Sequence, residues 1–137
     1  MIFNVDFHGT VAGALHDRWI AREIGKGAST GDNSSLWDRY GEMVYQTRDI
    51  VPLNHPLLKL LSDLKDAGHT INLWTNANYT LERDIKYILN GYVNIFDKFA
   101  FCAGRKSHTI VEGVVIDNEV QNLKCGSVGS ILVPTFK

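Results

Sequence analysis

The chain has 137 residues, a length typical of one domain. Hydrophobic residues make up 45% and charged residues 21% of the sequence, a globular composition that argues against disorder. Fourteen Lys and Arg against fifteen Asp and Glu give a formal charge of -1. Net positive charge is therefore no argument for nucleic acid or an anionic membrane as a partner.

The predicted elements of the first half begin with a short apolar run at 2–6, typical of a buried strand. Apolar residues then recur at helical spacing over 12–24 and again over 36–44. A loop rich in glycine, serine and other turn formers separates these two predicted helices. We interpret 11–54 as a small helical and loop insertion within a single domain, 1–137.

The second half of the chain continues the alternation of helices and strands. Leucines between 57 and 67 predict an amphipathic helix, and Gly68 follows where a C-terminal glycine belongs. A further helix is predicted at 80–89, and the predicted strands are 70–75, 99–102, 114–117 and 131–134. Strands without strict alternation, interleaved with helices, indicate a parallel sheet covered on both faces. The predicted fold is a three-layer α/β/α, Rossmann-like domain.

Polar residues follow four of the predicted strands at their carboxyl ends. Asp6, Thr75 and Asp117 end three of these strands, and Lys106 follows the strand at 99–102. In open parallel sheets, ligands bind outside the carboxyl ends of the strands, where the strand order changes direction. Two carboxylates, one hydroxyl and one ammonium are therefore expected to converge at one edge of the sheet.

This set of groups suits phosphoryl transfer. A carboxylate can attack phosphorus and carry an aspartyl-phosphate intermediate. A second carboxylate from another strand allows Mg²⁺ to bind, and the hydroxyl and the ammonium can hold the remaining phosphoryl oxygens. Each of these residues alone is more often a helix cap, a turn residue or a surface residue. The prediction therefore depends on their shared placement at strand ends.

Four segments together resemble the motifs of the haloacid dehalogenase (HAD) superfamily. The sequence IFNVDFHGTV at 2–11 is similar to the first motif, an apolar strand followed by DxDGT. The segment LWTN at 73–76 resembles the second motif, Lys106 the third, and VVIDN at 114–118 the fourth, which is usually an acidic pair. The resemblance extends from residue 2 to about residue 134, with the motifs in family order.

The resemblance implies a Mg²⁺-dependent phosphohydrolase with a minimal cap domain, in which Asp6 is the nucleophile. Thr75 and Lys106 would take part in catalysis by holding phosphoryl oxygens. The implied ligands of Mg²⁺ are all oxygen donors: the Asp6 carboxylate, the His8 backbone carbonyl, Asp117 and Asn118. The implied phosphate-binding residues are Phe7, Gly9, Thr75, Asn76 and Lys106.

Two positions depart from the family pattern. The second aspartate of the first motif, which protonates the leaving group, is His8 here, and the second member of the acidic pair is Asn118. Imidazole donates and accepts protons near neutral pH, so His8 is a candidate general acid and catalytic residue. The alternative is a catalytically impaired HAD-fold module that binds a phosphorylated ligand or a protein partner.

The insertion 11–54 is too short for a full cap, which predicts an open site. Its aromatic and arginine residues are Arg18, Trp19, Arg22, Trp37, Arg39, Tyr40, Tyr45 and Arg48. Aromatic side chains beside arginines suit base stacking and phosphate contacts, so we expect a nucleotide or a nucleic-acid-end phosphate as the substrate. The apolar faces of two small helices explain the same aromatic residues equally well.

The sequence favours a cytoplasmic protein without a membrane partner. No apolar run approaches the roughly 20 residues that span a bilayer. Residues 1–6 carry an early acid and no basic region, unlike a signal peptide. Cys102 and Cys125 could pair, but free thiols in a reducing compartment are the simpler interpretation.

Overall fold

A five-stranded parallel sheet organises the chain in the computed structural model, which describes all 137 residues. The strands are β1 (Ile2–Val5), β2 (Thr70–Thr75), β3 (Lys98–Phe101), β4 (Val114–Asp117) and β5 (Gly129–Leu132). Their order in the sheet is β3-β2-β1-β4-β5. This order and the parallel pairing define a Rossmann-like α/β arrangement. The five predicted strands are confirmed, and the last begins two residues earlier than expected.

Four α-helices flank the sheet, and all of them precede β3 in the chain. They are α1 (Leu15–Gly25), α2 (Ser35–Thr47), α3 (His55–Asp66) and α4 (Glu82–Leu89). Side-chain caps fix two of the starting points, because Ser34 Oγ accepts the Leu36 N–H at 3.1 Å and Asn54 Oδ1 accepts the Leu57 N–H at 3.3 Å. No helix in the chain is long and apolar enough to cross a membrane.

The two connections that follow β3 contain no α-helix. Lys106–His108 and Val120–Cys125 form 3₁₀ turns in their place. The short spacing between Lys106 and Asp117 leaves too little chain for a helical crossover. The edge strand β5 consequently exposes Ile131 and Leu132 by 48% and 53%.

One main hydrophobic core joins the sheet, its helices and the insertion. Val11, Val44 and Val51 of the insertion belong to the same core as the strand residues, so 11–54 has no separate core. The apolar patterns also included Ile24 and Leu60, which are 46% and 53% exposed. Both lie on the solvent side of their helices.

Candidate active site

The strand order changes direction between β1 and β4. From β1 the chain continues to β2 and β3 on one side, whereas β4 and β5 lie on the other. Asp6 directly follows β1, and its N–H donates to the Ile116 carbonyl at 2.9 Å, while Asp117 ends β4. Parallel α/β sheets bind ligands in the crevice at such a change of direction. The two carboxylates therefore lie where this fold is expected to bind a ligand.

Lys106 joins the two carboxylates. Its Nζ lies 2.8 Å from Asp6 Oδ1 and 2.6 Å from Asp117 Oδ2, and all three residues are at least 93% buried. Nζ also lies 4.4 Å from the centroid of the Trp74 ring, a cation–π contact. Because an unpaired buried charge is costly, the two carboxylates depend on Lys106, whereas Lys106 stays paired if one of them is neutral.

Thr10 and Asn118 contact carboxylate oxygens that Lys106 leaves free. Thr10 Oγ1 donates to Asp6 Oδ2 at 3.0 Å. Hydrogen bonding favours the Asn118 orientation in which Nδ2 donates to Asp6 Oδ2 at 2.9 Å and to Asp117 Oδ1 at 3.3 Å, while Oδ1 accepts from Thr135. One amide nitrogen therefore bridges the two carboxylates on their second side.

Unpaired donors lie beside Asp6. The backbone N–H groups of Phe7, His8 and Asn76 donate to no acceptor within the chain. The Thr75 hydroxyl accepts the Ala77 N–H at 3.2 Å, which leaves its proton for a ligand. These donors follow the adjacent strands β1 and β2, so they lie at one edge of the sheet. Such an array of donors suits an oxyanion.

Asn76 also holds the loop that carries Lys106. Its Oδ1 accepts the Lys106 N–H at 2.9 Å, and its backbone carbonyl accepts the Gly104 N–H at 2.9 Å. Ala103 in this loop has a φ of 47°, in the left-handed region that is unusual for a residue with a side chain. The end of β2 thus positions the ammonium against the carboxylates.

Gly9 occupies a position where no side chain fits. Its φ is +81°, and an added Cβ would lie 2.6 Å from the nearest atom of the Asn118 side-chain amide. Its carbonyl also accepts the Phe136 N–H at 2.8 Å, so the loop has little freedom to move.

A Gly9→Ala substitution is expected to lower the free energy of unfolding by about 1–3 kcal/mol, because the backbone is strained and Asn118 must move. Urea denaturation measures this change. The control is Gly41→Ala within α2, where an added Cβ meets no atom within 4 Å. Better helix propensity should raise the stability of that control by up to about 1 kcal/mol. Equal stability of Gly9→Ala and the wild type would contradict the strain at Gly9.

The His8 side chain points to the insertion. Its Nε2 lies 3.2 Å from His16 Nδ1, and His16 Nε2 lies 3.0 Å from Thr47 Oγ1. Thr47 donates its only hydroxyl proton to the Met43 carbonyl at 2.7 Å, so it accepts a hydrogen bond from His16. His16 Nδ1 is then an acceptor, and His8 donates to it through Nε2. This chain of bonds leaves His8 Nδ1 as the free acceptor.

Burial perturbs the ionisation of several groups at the site. Burial lowers the pKa of His8 to about 4, with a further lowering by the Lys106 charge, so the imidazole is neutral at pH 7. Burial raises the pKa of Asp6 to about 7, with Asp117 raising it and Lys106 lowering it. Desolvation in the cleft likewise raises the pKa of Asp17 to about 6, although this residue is open to solvent.

A cleft of about 760 Å³ opens over Asp6 and His8. Residues from α1, α2 and the loop between them form one wall of it: Asp17, Ile20, Asp32, Trp37, Tyr40 and Gly41. This volume is in the range of small-molecule sites. The insertion, whose short length predicts an open site, therefore encloses part of the cleft.

The arginines of the insertion lie outside this cleft. Arg39 pairs with Glu23, and Arg48 pairs with Asp84 at 3.4 Å. The Arg48 guanidinium also lies 3.8 Å from the centroid of the Tyr87 ring. None of the four predicted arginines lines the cleft: Arg18, Arg22, Arg39 and Arg48. For Arg39 and Arg48, proximity to aromatic residues reflects contacts between helices.

The oxygen atoms available at this site are suitable ligands for a hard divalent cation. Besides the Asp6 and Asp117 carboxylates, the His8 carbonyl is available, since it accepts no hydrogen bond within the chain. Rotation of the Asn118 amide would present its oxygen to the same point between the carboxylates. Mg²⁺ prefers such oxygen ligands together with water. No three His, Cys, Asp or Glu side chains cluster to hold a metal, so backbone, amide and water oxygens would complete any such site.

The structure brings most of the predicted site residues to one edge of the sheet. Asp6, Lys106, Asp117 and Asn118 are linked directly, and Thr75 and Asn76 lie at the end of the neighbouring strand. The side chain of Phe7 belongs to the core, so only its backbone faces the site. The residues that sequence reasoning missed are Thr10, His16, Asp17, Trp74 and Asn122. Of these, Thr10 and Trp74 lie within the segments that resemble the first and second motifs, and the other three carried no signal.

Comparison with models of known protein families finds no match for this chain, and no curated protein matches it either. The fold and the site nevertheless define a structural class. The chain is an α/β protein with a Rossmann-like, all-parallel five-stranded sheet. A buried Asp–Lys–Asp cluster lies where its strand order changes direction.

Proposed function

We propose that the protein is a Mg²⁺-dependent phosphohydrolase of the HAD type that acts on a phosphate monoester through Asp6. The observation that supports this most strongly is the Asp6–Lys106–Asp117 cluster beside unpaired donors. Transfer of a phosphoryl group to a side chain requires a nucleophilic carboxylate, a fixed cation and free N–H groups.

In the proposed reaction, the substrate phosphate lies against the Thr75 hydroxyl and the free N–H groups of Phe7 and His8. An Asp6 carboxylate oxygen forms a bond to phosphorus, the bond to the ester oxygen breaks, and the released alkoxide takes a proton from solvent water. Water then attacks phosphorus in the aspartyl-phosphate, which releases inorganic phosphate and regenerates Asp6. Lys106 offsets negative charge throughout.

The proposed Mg²⁺ ligands are Asp6, the His8 carbonyl, Asp117 and Asn118. When bound, Mg²⁺ would supply positive charge that screens the nucleophile from the anionic phosphate. The chain places these oxygen donors next to Lys106, whose ammonium already neutralises part of their charge. Weak binding of the metal in the absence of a phosphate ligand is therefore expected.

His8 remains a candidate for proton transfer, but as a proton acceptor rather than as a proton donor. A neutral imidazole whose Nδ1 is free can accept a proton from the attacking water. It is a poor proton donor at neutral pH, because its pKa is lowered to about 4. Esters with good leaving groups, such as aryl phosphates, should therefore react fastest.

The second candidate is a catalytically impaired module that binds a phosphorylated ligand. One observation favours it: His8 Nε2 is hydrogen-bonded to His16. This nitrogen is therefore not free to protonate a leaving group, which is the role of the second aspartate in the HAD first motif. Such a module would keep the free N–H groups of Phe7 and His8 and the Thr75 hydroxyl as donors but would show no turnover.

Hydrolysis of p-nitrophenyl phosphate with millimolar Mg²⁺ and with EDTA tests the proposed function. We expect hydrolysis that requires Mg²⁺. Asp117→Asn should raise the Mg²⁺ concentration needed for half-maximal activity by about 100-fold or more. Mutating residues that only orient metal ligands already lowers metal affinity or activity by about 10–100-fold. Activity that persists in EDTA would contradict the metal dependence. The impaired module would be favoured by two results together: aryl phosphates, nucleotides and phosphorylated oligonucleotides are not hydrolysed, and calorimetry shows that the same esters bind.

The sequence-based prediction of a nucleotide or nucleic-acid-end phosphate as the substrate remains a proposal. Its support from the arginines is reduced, because these residues do not line the cleft. Trp37 and Tyr40 do line it and are the remaining candidates for stacking on a base.

A further inference from the structure

The cleft carries more negative than positive charge. Besides Asp6, three carboxylates line it, Asp17 and Asp32 on the insertion and Glu119 after β4. Arg105 is the only Lys or Arg on the lining, and it directly precedes Lys106 in the chain. The cleft beyond the phosphate-binding donors is therefore suited to a positively charged group, and it disfavours further phosphates.

Two aromatic rings form a corner in this cleft. The Trp37 and Tyr40 centroids are 6.3 Å apart, and their planes meet at 89°. No cation of the chain lies over either ring, whereas Arg39 covers Trp19. Tyr40 also packs against Trp19 and His16, with ring centroids 6.1 and 6.4 Å away. The more exposed Trp37 ring is therefore the one suited to an alkylammonium group.

A carboxylate lies beside this corner. Asp17 on α1 and Tyr40 on α2 both line the cleft, and the two helices pack through Trp19 and Tyr40 at 6.1 Å between ring centroids. Burial raises the pKa of Tyr40, and the charge of Asp17 contributes to the rise. Trp37 Nε1 donates to the Thr30 and Gly31 carbonyls at 3.3 and 3.1 Å, and this contact fixes the loop that carries Asp32. Aromatic faces and carboxylates therefore occur on the same wall.

A further observation comes from the 3₁₀ turn Val120–Cys125. Asn122 lines the cleft and is only 3% exposed, and its Oδ1 has no hydrogen-bond partner. Its Nδ2 is held by Asp117 Oδ2 at 3.1 Å, so the orientation of the amide is fixed. A buried acceptor without a donor is costly, so a bound water or the N–H of a ligand is needed to satisfy this oxygen.

We propose that the substrate is a phosphate monoester of an amino alcohol, whose ammonium group binds between Asp17 and the Trp37–Tyr40 corner. The inference rests on the proposed function, because the reaction at Asp6 places the phosphate beside this residue, within the same cleft. The alcohol portion then extends along the insertion, where the ammonium meets carboxylate and aromatic groups.

The test compares two esters of matched length, 3-aminopropyl phosphate and butyl phosphate, in the presence of Mg²⁺. We expect kcat/KM to be about 10-fold or more higher for the amino ester. Asp17→Asn and Trp37→Leu should each reduce this ratio by several-fold. The matched control is Asp38→Asn, an exposed carboxylate of α2 outside the cleft, which should leave the ratio unchanged. Comparing ratios between variants cancels the intrinsic difference in reactivity between the two esters.

Three results would overturn the inference. The ratio of kcat/KM between the two esters could be near one, Asp17→Asn could leave this ratio unchanged, or the protein could prefer adenosine 5′-monophosphate. Hydrolysis of butyl phosphate would in each case still support the proposed function. If neither ester is hydrolysed, the proposed function fails, and calorimetry of the wild type and Asp17→Asn decides the inference separately. Tighter binding of the amino ester that Asp17→Asn abolishes supports the ammonium site, and equal binding of both esters overturns it.

Discussion

Replacing Asp6 with asparagine is expected to abolish hydrolysis and, in metal-free protein, to stabilise the fold at neutral pH. The amide keeps the shape of the side chain but cannot form the aspartyl-phosphate, so the rate should fall by about 10⁴-fold or more. Hydrolysis of p-nitrophenyl phosphate with Mg²⁺ measures this loss. A rate equal to that of the wild type would show that Asp6 is not the nucleophile.

The gain in stability of Asp6→Asn follows from the pKa of this carboxyl. Burial raises the pKa from 3.8 to about 7, so between these values the folded state binds more protons than the unfolded state. The contribution of Asp6 to stability is therefore complete below pH 4 and is lost as the pH rises through about 7. Asp6→Asn does not lose stability in this way. The difference in free energy of unfolding between this variant and the wild type should therefore grow from pH 4.5 to pH 7.5.

Urea denaturation in EDTA at several pH values between these limits checks this expectation. Other groups that titrate in the same range, such as His8 and His16, are present in both proteins, so their effects largely cancel in the difference. Parallel pH profiles of wild type and Asp6→Asn would contradict the raised pKa of Asp6.

Replacing Lys106 with methionine should have the largest effect on stability. The ammonium is 99% buried and is within 2.8 Å of two carboxylates, which would remain without it. Breaking such a buried network by removing one partner costs about 3–5 kcal/mol. We therefore expect a loss of this size in the free energy of unfolding at pH 7, together with loss of any phosphatase activity.

Two comparisons separate this effect from a general effect of losing a lysine. Lys59→Met removes an exposed pair with Asp63 and should cost less than about 1 kcal/mol. The double variant Lys106→Met with Asp117→Asn should be more stable than Lys106→Met alone, since one unpaired carboxylate is then removed. If the double variant were the less stable of the two, the repulsion between Asp6 and Asp117 would be smaller than the geometry indicates.

The sequence was sufficient to predict the elements that create the carboxylate site. Asp6, Thr75 and Asp117 follow runs of apolar residues that form parallel strands, and parallel strands bring their carboxyl ends to one edge of a sheet. The position of Lys106 was predicted from its order in the chain. Its contact with Trp74 was not, because this contact depends on how the loop after β3 turns back at Ala103.

The composition of the cleft wall was the part that the sequence could not provide. Asp17 and Trp37 lie on helices whose periodicity shows which face is apolar but not how each helix is rotated over the sheet. Asn122 lies in a 3₁₀ turn without a repeating pattern. The arginines were misleading for the same reason, because proximity in sequence to aromatic residues does not specify which surface the pair faces.

The bond between His8 and His16 has a consequence for how such a protein can diversify. A surface insertion that lines a cleft could in principle be exchanged for another, which would change ligand preference while the strand ends stay constant. Here the first helix of that insertion also orients the His8 imidazole near Asp6, the proposed nucleophile. An exchange that removed His16 would free the His8 ring to rotate and to change its tautomer. If His8 transfers a proton as proposed, ligand preference and proton transfer in this chain are constrained to change together.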